Sequence, residues 1–108
     1  MKILDLPLKA KWYEMIESGE KPEEYRANKP YWCKRLLGYV RASVLGYTHV
    51  RYLSVNLKGY THVRFRYGYT KRTMMFEIDD IRMGFGNPAW GAPEDEIVFI
   101  IKLGKRKE

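Results

Sequence analysis

The sequence predicts a single α+β domain. It would have about five to six strands, mostly antiparallel, curled into a closed or nearly closed barrel with one to two flanking helices. Three observations predict it. The 108-residue length fits one domain with one modest core. A single early segment repeats its apolar residues at helical spacing. Most of the remainder alternates apolar and polar residues, as strands do, between Gly- and Pro-containing turns.

Residues 2–8, "KILDLPL", read as a first strand, with Pro7 at its end or on an edge. Leu8, Trp12, Met15 and Ile16 then line one side of a helix, with Glu14 and Glu17 opposite and Gly19 as its stop. Trp12 is expected as a core anchor. "EEYRA", 23–27, reads as a short strand with Glu24 and Arg26 on one face and Glu23 and Tyr25 on the other. Pro30 suits the first turn of a short second helix, with Asn28 near its cap and Gly38 ending it. On that helix Tyr31, Lys34 and Arg35 are neighbours.

Residues 39–83 look like strands. Thr61, Val63, Phe65 and Tyr67 share one parity, and Tyr60, His62, Arg64 and Arg66 the other. "YGYTKR" supplies a turn. In "TMMFEIDDIRM" Met74, Phe76 and Ile78 are expected on one side, with Met75, Glu77 and Asp79 on the other. "GFGNPAWGAPED", 84–95, reads as a loop. "EIVFIIKL" reads as a central strand, and the tail "GKRKE" as frayed.

The formal net charge is +7, and its placement is uneven. No acidic residue occurs between Glu24 and Glu77, while that interval holds eleven Lys and Arg residues and eight of the nine tyrosines. Cations displace counterions from phosphates, and tyrosine faces stack on unpaired bases, so this composition suits a nucleic-acid partner. No apolar run is long enough to span a bilayer, and the N-terminal residues lack the apolar core and cleavage site of a signal peptide. No membrane partner and a cytoplasmic location are therefore expected. The single cysteine, Cys33, excludes an intrachain disulfide and a cysteine-based zinc site. His49 and His62 lack companion ligands, so neither a metal nor another cofactor is expected.

Residues 19–26, "GEKPEEYR", fit G-x-K-x-x-E-x-R at Gly19, Lys21, Glu24 and Arg26. Gly19 releases the helix through a left-handed turn. Lys21 follows on that turn, at the mouth of a cleft between sheet and helix. A carboxylate beside a guanidinium on one strand face can hold a base edge or an amide through paired hydrogen bonds, or can be an ion pair that closes the barrel. Lys21 offers a phosphate cation or a catalytic amine.

Strand, helix, glycine stop and charged strand in this order resemble the ASCH domains, which are similar to PUA domains. The resemblance runs through the first strand, the helix, the motif and the later "FEIDDI" and "FIIKLG" strands. It covers most of the chain outside the 46–64 region. "KPYWCKRL" and "GNPAWGAP" look like features of a small bacterial or phage-type member. The resemblance implies a β-barrel flanked by helices, with a nucleic-acid or nucleotide site in the cleft beside Lys21, Glu24 and Arg26. Some small ASCH proteins are amidohydrolases that deacetylate N4-acetylcytidine with a Lys, a Thr and a Glu, and others are described as ribonucleases. The Lys maps onto Lys21. The Thr falls at the motif's acidic position, which here is Glu24. Glu24 would raise the Lys21 pKa and Arg26 would lower it. Glu77 is the candidate for the third residue, with Asp79 as its competitor.

Three functions follow as expectations. The first is RNA or nucleotide binding through the motif cleft and a basic, tyrosine-rich face, using Lys21, Glu24, Arg26, Tyr31, Lys34, Arg35, Arg64 and Arg66. The second is a small hydrolase of a modified nucleoside or of RNA, with Lys21, Glu24 and Glu77 catalytic. The third is a protein-interaction barrel.

The hexapeptide Gly-Tyr-Thr-His-Val-Arg occurs at 46–51 and again at 59–64. Aligning 46–58 with 59–71 also matches Lys58 with Lys71, which indicates a thirteen-residue tandem duplication. An odd offset reverses the facing of the second copy along one unbroken strand, so a turn at "NLKG", 56–59, is needed to restore it. The second copy is expected in the barrel. The first, around residues 46–55, would be an exposed edge able to pair in a homodimer.

Overall fold

Alternation in the first strand is the simplest link from sequence to architecture. In the computed structural model, which describes residues 1–38 and 54–108, Ile3–Leu8 form β1. Leu4, Leu6 and Leu8 are buried, and Asp5 and Pro7 face outward. β1 lies at a sheet edge, where Pro7 deprives no neighbour of a hydrogen bond. Helix α1 spans Ala10–Glu17 and ends where Gly19 takes φ +88° and its N–H bonds the Ile16 carbonyl. The strand β2, Glu23–Ala27, matches the expected "EEYRA". Helix α2 is Pro30–Leu37, with Pro30 in its first turn and Gly38 at φ +90° closing it.

The sheet is completed by β3 (His62–Tyr67), β4 (Thr73–Phe85) and β5 (Ile97–Arg106), in the order β1-β3-β4-β5-β2. The β1–β3 pair is parallel; β3–β4, β4–β5 and β5–β2 are antiparallel. Among the described residues these strands make a curled five-stranded mixed sheet, a half-barrel. Its two edges approach each other, and Arg26 of β2 places Nη2 3.4 Å from the Pro7 carbonyl of β1. Leu4, Leu6, Val63, Phe65, Met74, Ile81, Phe99 and Ile101 fill the concave side. Tyr13 and Ile16 from α1 and Cys33, Leu36 and Leu37 from α2 complete this core. A smaller cluster of Tyr25, Val98 and Ala92 lies on the other side of β2 and β5.

Four details differ from the sequence reading. Tyr13 and Ile16 anchor α1, whereas Trp12 is only half-buried and lies against the later loop. β4 does not keep one alternation. Met74 and Phe76 face the core, but pairing with β5 is irregular between Phe76 and Asp80, and beyond it Ile81 and Met83 face in. An extra residue at a bulge reverses which parity is inward. The tail is not frayed. Residues to Arg106 belong to β5, and the Lys107 N–H donates to the Met75 carbonyl at 2.7 Å. The Gly- and Pro-rich segment is a loop that contains a one-turn 3-10 helix, Pro88–Trp90.

β3 is built from the second copy of the hexapeptide, with Val63 and Phe65 fully buried. The turn before it is the expected one. The Asn56 side chain bonds both the N–H and the carbonyl of Tyr60, and Gly59 takes φ +71°. Residues 46–53 of the first copy, and with them the proposed dimer edge, lie outside the described residues.

Candidate functional site

The motif folds as a sealed charge cluster. Gly19 turns the chain so that the Lys21 N–H reaches back to the Met15 carbonyl at 3.0 Å. The Lys21 side chain, 1% exposed, then runs under β2. Its Nζ lies 2.9 Å from Glu24 Oε1 and donates to the Trp90 carbonyl at 2.5 Å. Strand alternation places Glu24 and Arg26 on one face, and the second Glu24 oxygen accepts from Arg26 Nη1. Arg26 Nη1 also donates to the Tyr25 carbonyl at 2.6 Å. One buried carboxylate is therefore shared by two cations.

Aromatic rings close the cluster. Lys21 Nζ is 4.5 Å from the centroid of the Tyr25 ring and 5.3 Å from that of Trp12. Burial holds the Lys21 amine below the ordinary lysine pKa. Glu24 pushes it up by charge and hydrogen bond, and Arg26 pushes it down. The sequence left the balance between Glu24 and Arg26 open; desolvation decides the direction. Burial also raises the Tyr25 phenol well above its ordinary value, an effect that Glu23 reinforces. Tyr25 therefore stays protonated and donates to Glu23 at 2.7 Å while accepting from the Asn87 N–H at 3.0 Å.

These contacts fasten the 86–95 loop over Lys21. Asn87 is held by Tyr25 and Trp90 by Lys21, and Gly91 sits on the Trp12 ring. Gly86 approaches so closely that a Cβ there would lie 2.6 Å from both Ala92 Cβ and the Tyr25 ring. The lysine expected at the mouth of a cleft is therefore covered. Trp12, Tyr25 and the Trp90 carbonyl are the members that sequence reasoning missed. No signal in the sequence marks them: Trp12 fits the apolar side of the helix, Tyr25 fits the alternation of its strand, and a backbone carbonyl has no residue type.

A group of arginines lies elsewhere, along the seam where β1 approaches β2 and α2. Arg26 reaches the Pro7 carbonyl, and its guanidinium lies 5.1 Å from the Trp32 ring centroid. Arg35 lies 5.4 Å from the same ring and donates to the Asp5 carbonyl at 2.6 Å. Arg64, opposite Asp5 in the β1–β3 register, approaches Asp5 Oδ1 at 3.4 Å, and Arg66 stands opposite Pro7. Two grooves flank this seam. One, of about 190 Å³, is lined by Asp5, Leu6, Pro7, Arg64, Arg66 and Tyr69. The other, of about 470 Å³, is lined by Tyr31, Lys34, Arg35, Gly38 and Lys58. Tyr31 is 64% exposed and Tyr69 95% exposed.

The predicted residues thus divide into two groups. Lys21 and Glu24 are buried together. Tyr31, Lys34, Arg35, Arg64 and Arg66 lie along the seam, and Arg26 joins the two groups. Glu77 joins neither: its carboxylate pairs with Lys107 at 3.3 Å on the solvent side of β4, and Asp79 is exposed. His62 Nδ1 sits 2.8 Å from the Thr61 hydroxyl, while His49 lies outside the described residues. Among the described residues no group of three or more His, Cys, Asp or Glu side chains could hold a metal ion. No helix among them is long and apolar enough to cross a membrane. No family model, curated protein or solved structure matches the chain.

Proposed function

We propose that the protein is a single-stranded RNA- or nucleotide-binding module of the ASCH type, and that its ligand lies along the β1 seam. The observation that carries this reading is the convergence of Arg26, Arg35, Arg64 and Arg66 from two strands and a helix, beside the exposed rings of Tyr31 and Tyr69. Guanidinium groups engage phosphates, and exposed tyrosines stack on unpaired bases. In this reading the Gly19–Arg26 motif has a structural task. Lys21 and Glu24 position Arg26 and hold the 86–95 loop.

Fluorescence anisotropy of a labelled single-stranded RNA across a salt series tests it. Three to four phosphate contacts give a log–log salt slope of about −2 to −3. The double variant Arg64→Ala/Arg66→Ala should bind more weakly whatever the sequence, with a slope shallower by about 1.4. No binding at low salt, or binding indifferent to salt, would remove the basis of the proposal.

A second reading, hydrolysis of a modified nucleoside such as N4-acetylcytidine or of RNA, draws on the lowered pKa of the buried Lys21 amine beside Glu24. It requires the Trp90 carbonyl to move off Nζ. Its test is product formation from N4-acetylcytidine or a short RNA by the wild type and its loss in Lys21→Ala; no turnover by the wild type would exclude it.

A further inference from the structure

Resting on the binding reading above, we infer that the groove between β1 and the β3–β4 turn is a nucleobase subsite that selects guanine, and that Asp5 is its specificity-determining residue. The groove, about 190 Å³, is smaller than the roughly 300 Å³ at which small-molecule pockets begin, so it suits one base rather than a whole nucleotide. Its lining supplies a different chemistry on each side. Tyr69 and Pro7 offer flat apolar surfaces, Arg64 and Arg66 are cations, and Asp5 is the single acid.

That acid is out of keeping with its surroundings. A face built only to attract phosphates gains nothing from a carboxylate at its centre, which lowers the positive potential. Nor is Asp5 consumed by a strong ion pair. Its side chain is 51% exposed, and Arg64 Nη1 approaches one oxygen at 3.4 Å, longer than a charge-assisted hydrogen bond. Arg35 bonds the Asp5 backbone carbonyl and leaves the carboxylate alone. Among the described residues Oδ2 has no partner and Oδ1 has only the long contact from Arg64, so both can face a base at the groove wall once Arg64 turns to a phosphate, on a strand that fixes the Cα.

A carboxylate accepts and cannot donate. Among the four RNA bases only guanine presents two adjacent donors, N1–H and the N2 amino group, on its pairing edge. Adenine and cytosine each present one donor beside an acceptor, and uracil presents one donor between two acceptors. A two-oxygen acceptor therefore matches guanine and sets lone pairs against lone pairs for the others. Arg66 forms no ion pair among the described residues and is placed to take the adjoining phosphate, and the exposed Tyr69 ring is placed to stack on the base.

The experiment is competition among labelled single-stranded RNA heptamers that differ only at the central base. The guanosine heptamer should bind roughly 5- to 150-fold more tightly than the adenosine, cytidine or uridine ones. Inosine, which lacks the N2 amino group, should fall between. Asp5→Asn, at a half-exposed position whose backbone contacts it preserves, should weaken the guanosine heptamer to the level of the other three, whose own affinities stay within a few fold of their wild-type values. Circular dichroism checks that the variant is folded. Equal binding of all heptamers, or a guanosine preference that survives in Asp5→Asn, overturns the subsite and leaves the binding reading intact. Failure of every heptamer to bind overturns both.

Discussion

Replacing Glu24 by Gln separates a structural motif from an incidental ion pair. The carboxylate is shared, with one oxygen on Lys21 at 2.9 Å and the other on Arg26. Removing its charge leaves two cations together, one of them 1% exposed, facing backbone carbonyls, aromatic rings and a neutral amide in place of the carboxylate. Breaking a buried pair in this way costs about 3–5 kcal/mol. Arg26 retains some solvent contact and the Pro7 carbonyl, so the lower end, about 3 kcal/mol, applies. For a domain of this size that is a fall of about 12–24 °C in Tm. Lys21→Met leaves Glu24 paired with Arg26 and strands chiefly the Trp90 carbonyl, which costs about 1–3 kcal/mol. Thermal and urea unfolding of the two variants should therefore rank Glu24→Gln as the more damaging. Lys21 binds its proton less tightly folded than unfolded, so stability rises as pH climbs from its folded pKa to the ordinary lysine value. Without the upward push of Glu24 that window widens, and Glu24→Gln should gain more stability than the wild type between neutral pH and about pH 10. Equal or reversed ranking, or a variant whose stability falls with pH over that range, would refute the shared-carboxylate account.

Other parts of the structure give sharper, smaller tests. Gly86→Ala drives a Cβ against Ala92 and the Tyr25 ring, so it should cost about 1–3 kcal/mol and shift tryptophan fluorescence as the loop lifts from Trp12 and Lys21. An unchanged Tm would mean the loop does not pack this closely. Truncation after Leu103 removes the backbone bonds to Met75 and exposes that side chain, a loss of about 2–4 kcal/mol by denaturant titration. In hydrogen exchange, the Val63 and Phe65 amides of β3, flanked by β1 and β4, should be among the slowest in the chain. Fast exchange there would mean that the second hexapeptide copy does not hold the sheet position.

Local periodicity carried much of this fold. "EEYRA" became β2 with Glu24 and Arg26 on one face because strand alternation leaves no other choice once the register with β5 is set. Gly19 and Gly38 ended their helices because each adopts the positive φ that side-chain-bearing residues avoid. What escaped the sequence was decided by tertiary pairing. The bulged stretch of β4 reverses its inward parity, and no residue type announces it. The charged tail "GKRKE" has no strand pattern of its own and is ordered because β4 offers Met75 as a partner. Trp12 and Tyr13 are both large and aromatic, and only the docking of α1 determines which enters the core. The motif was legible as Lys21, Glu24 and Arg26, but its burial depends on a loop whose contacting backbone carbonyl lies 69 residues beyond Lys21 and has no sequence signature. Asp5 was passed over because a lone acid in a strand reads as an ordinary solvent-facing residue.

If ligand binds along the β1 seam and the buried lysine cluster serves as its support, the two regions respond differently to titration. Amide chemical-shift mapping during titration with a single-stranded RNA tests this most directly. The account predicts the largest shifts at Asp5, Arg64, Arg66 and Tyr69 and along Tyr31–Arg35, with the Trp12 and Trp90 indoles little changed. Shifts centred on the outer β4–β5 surface at Arg82, Ile100 and Lys102, or on Lys21 and Trp90 with the seam silent, would contradict it.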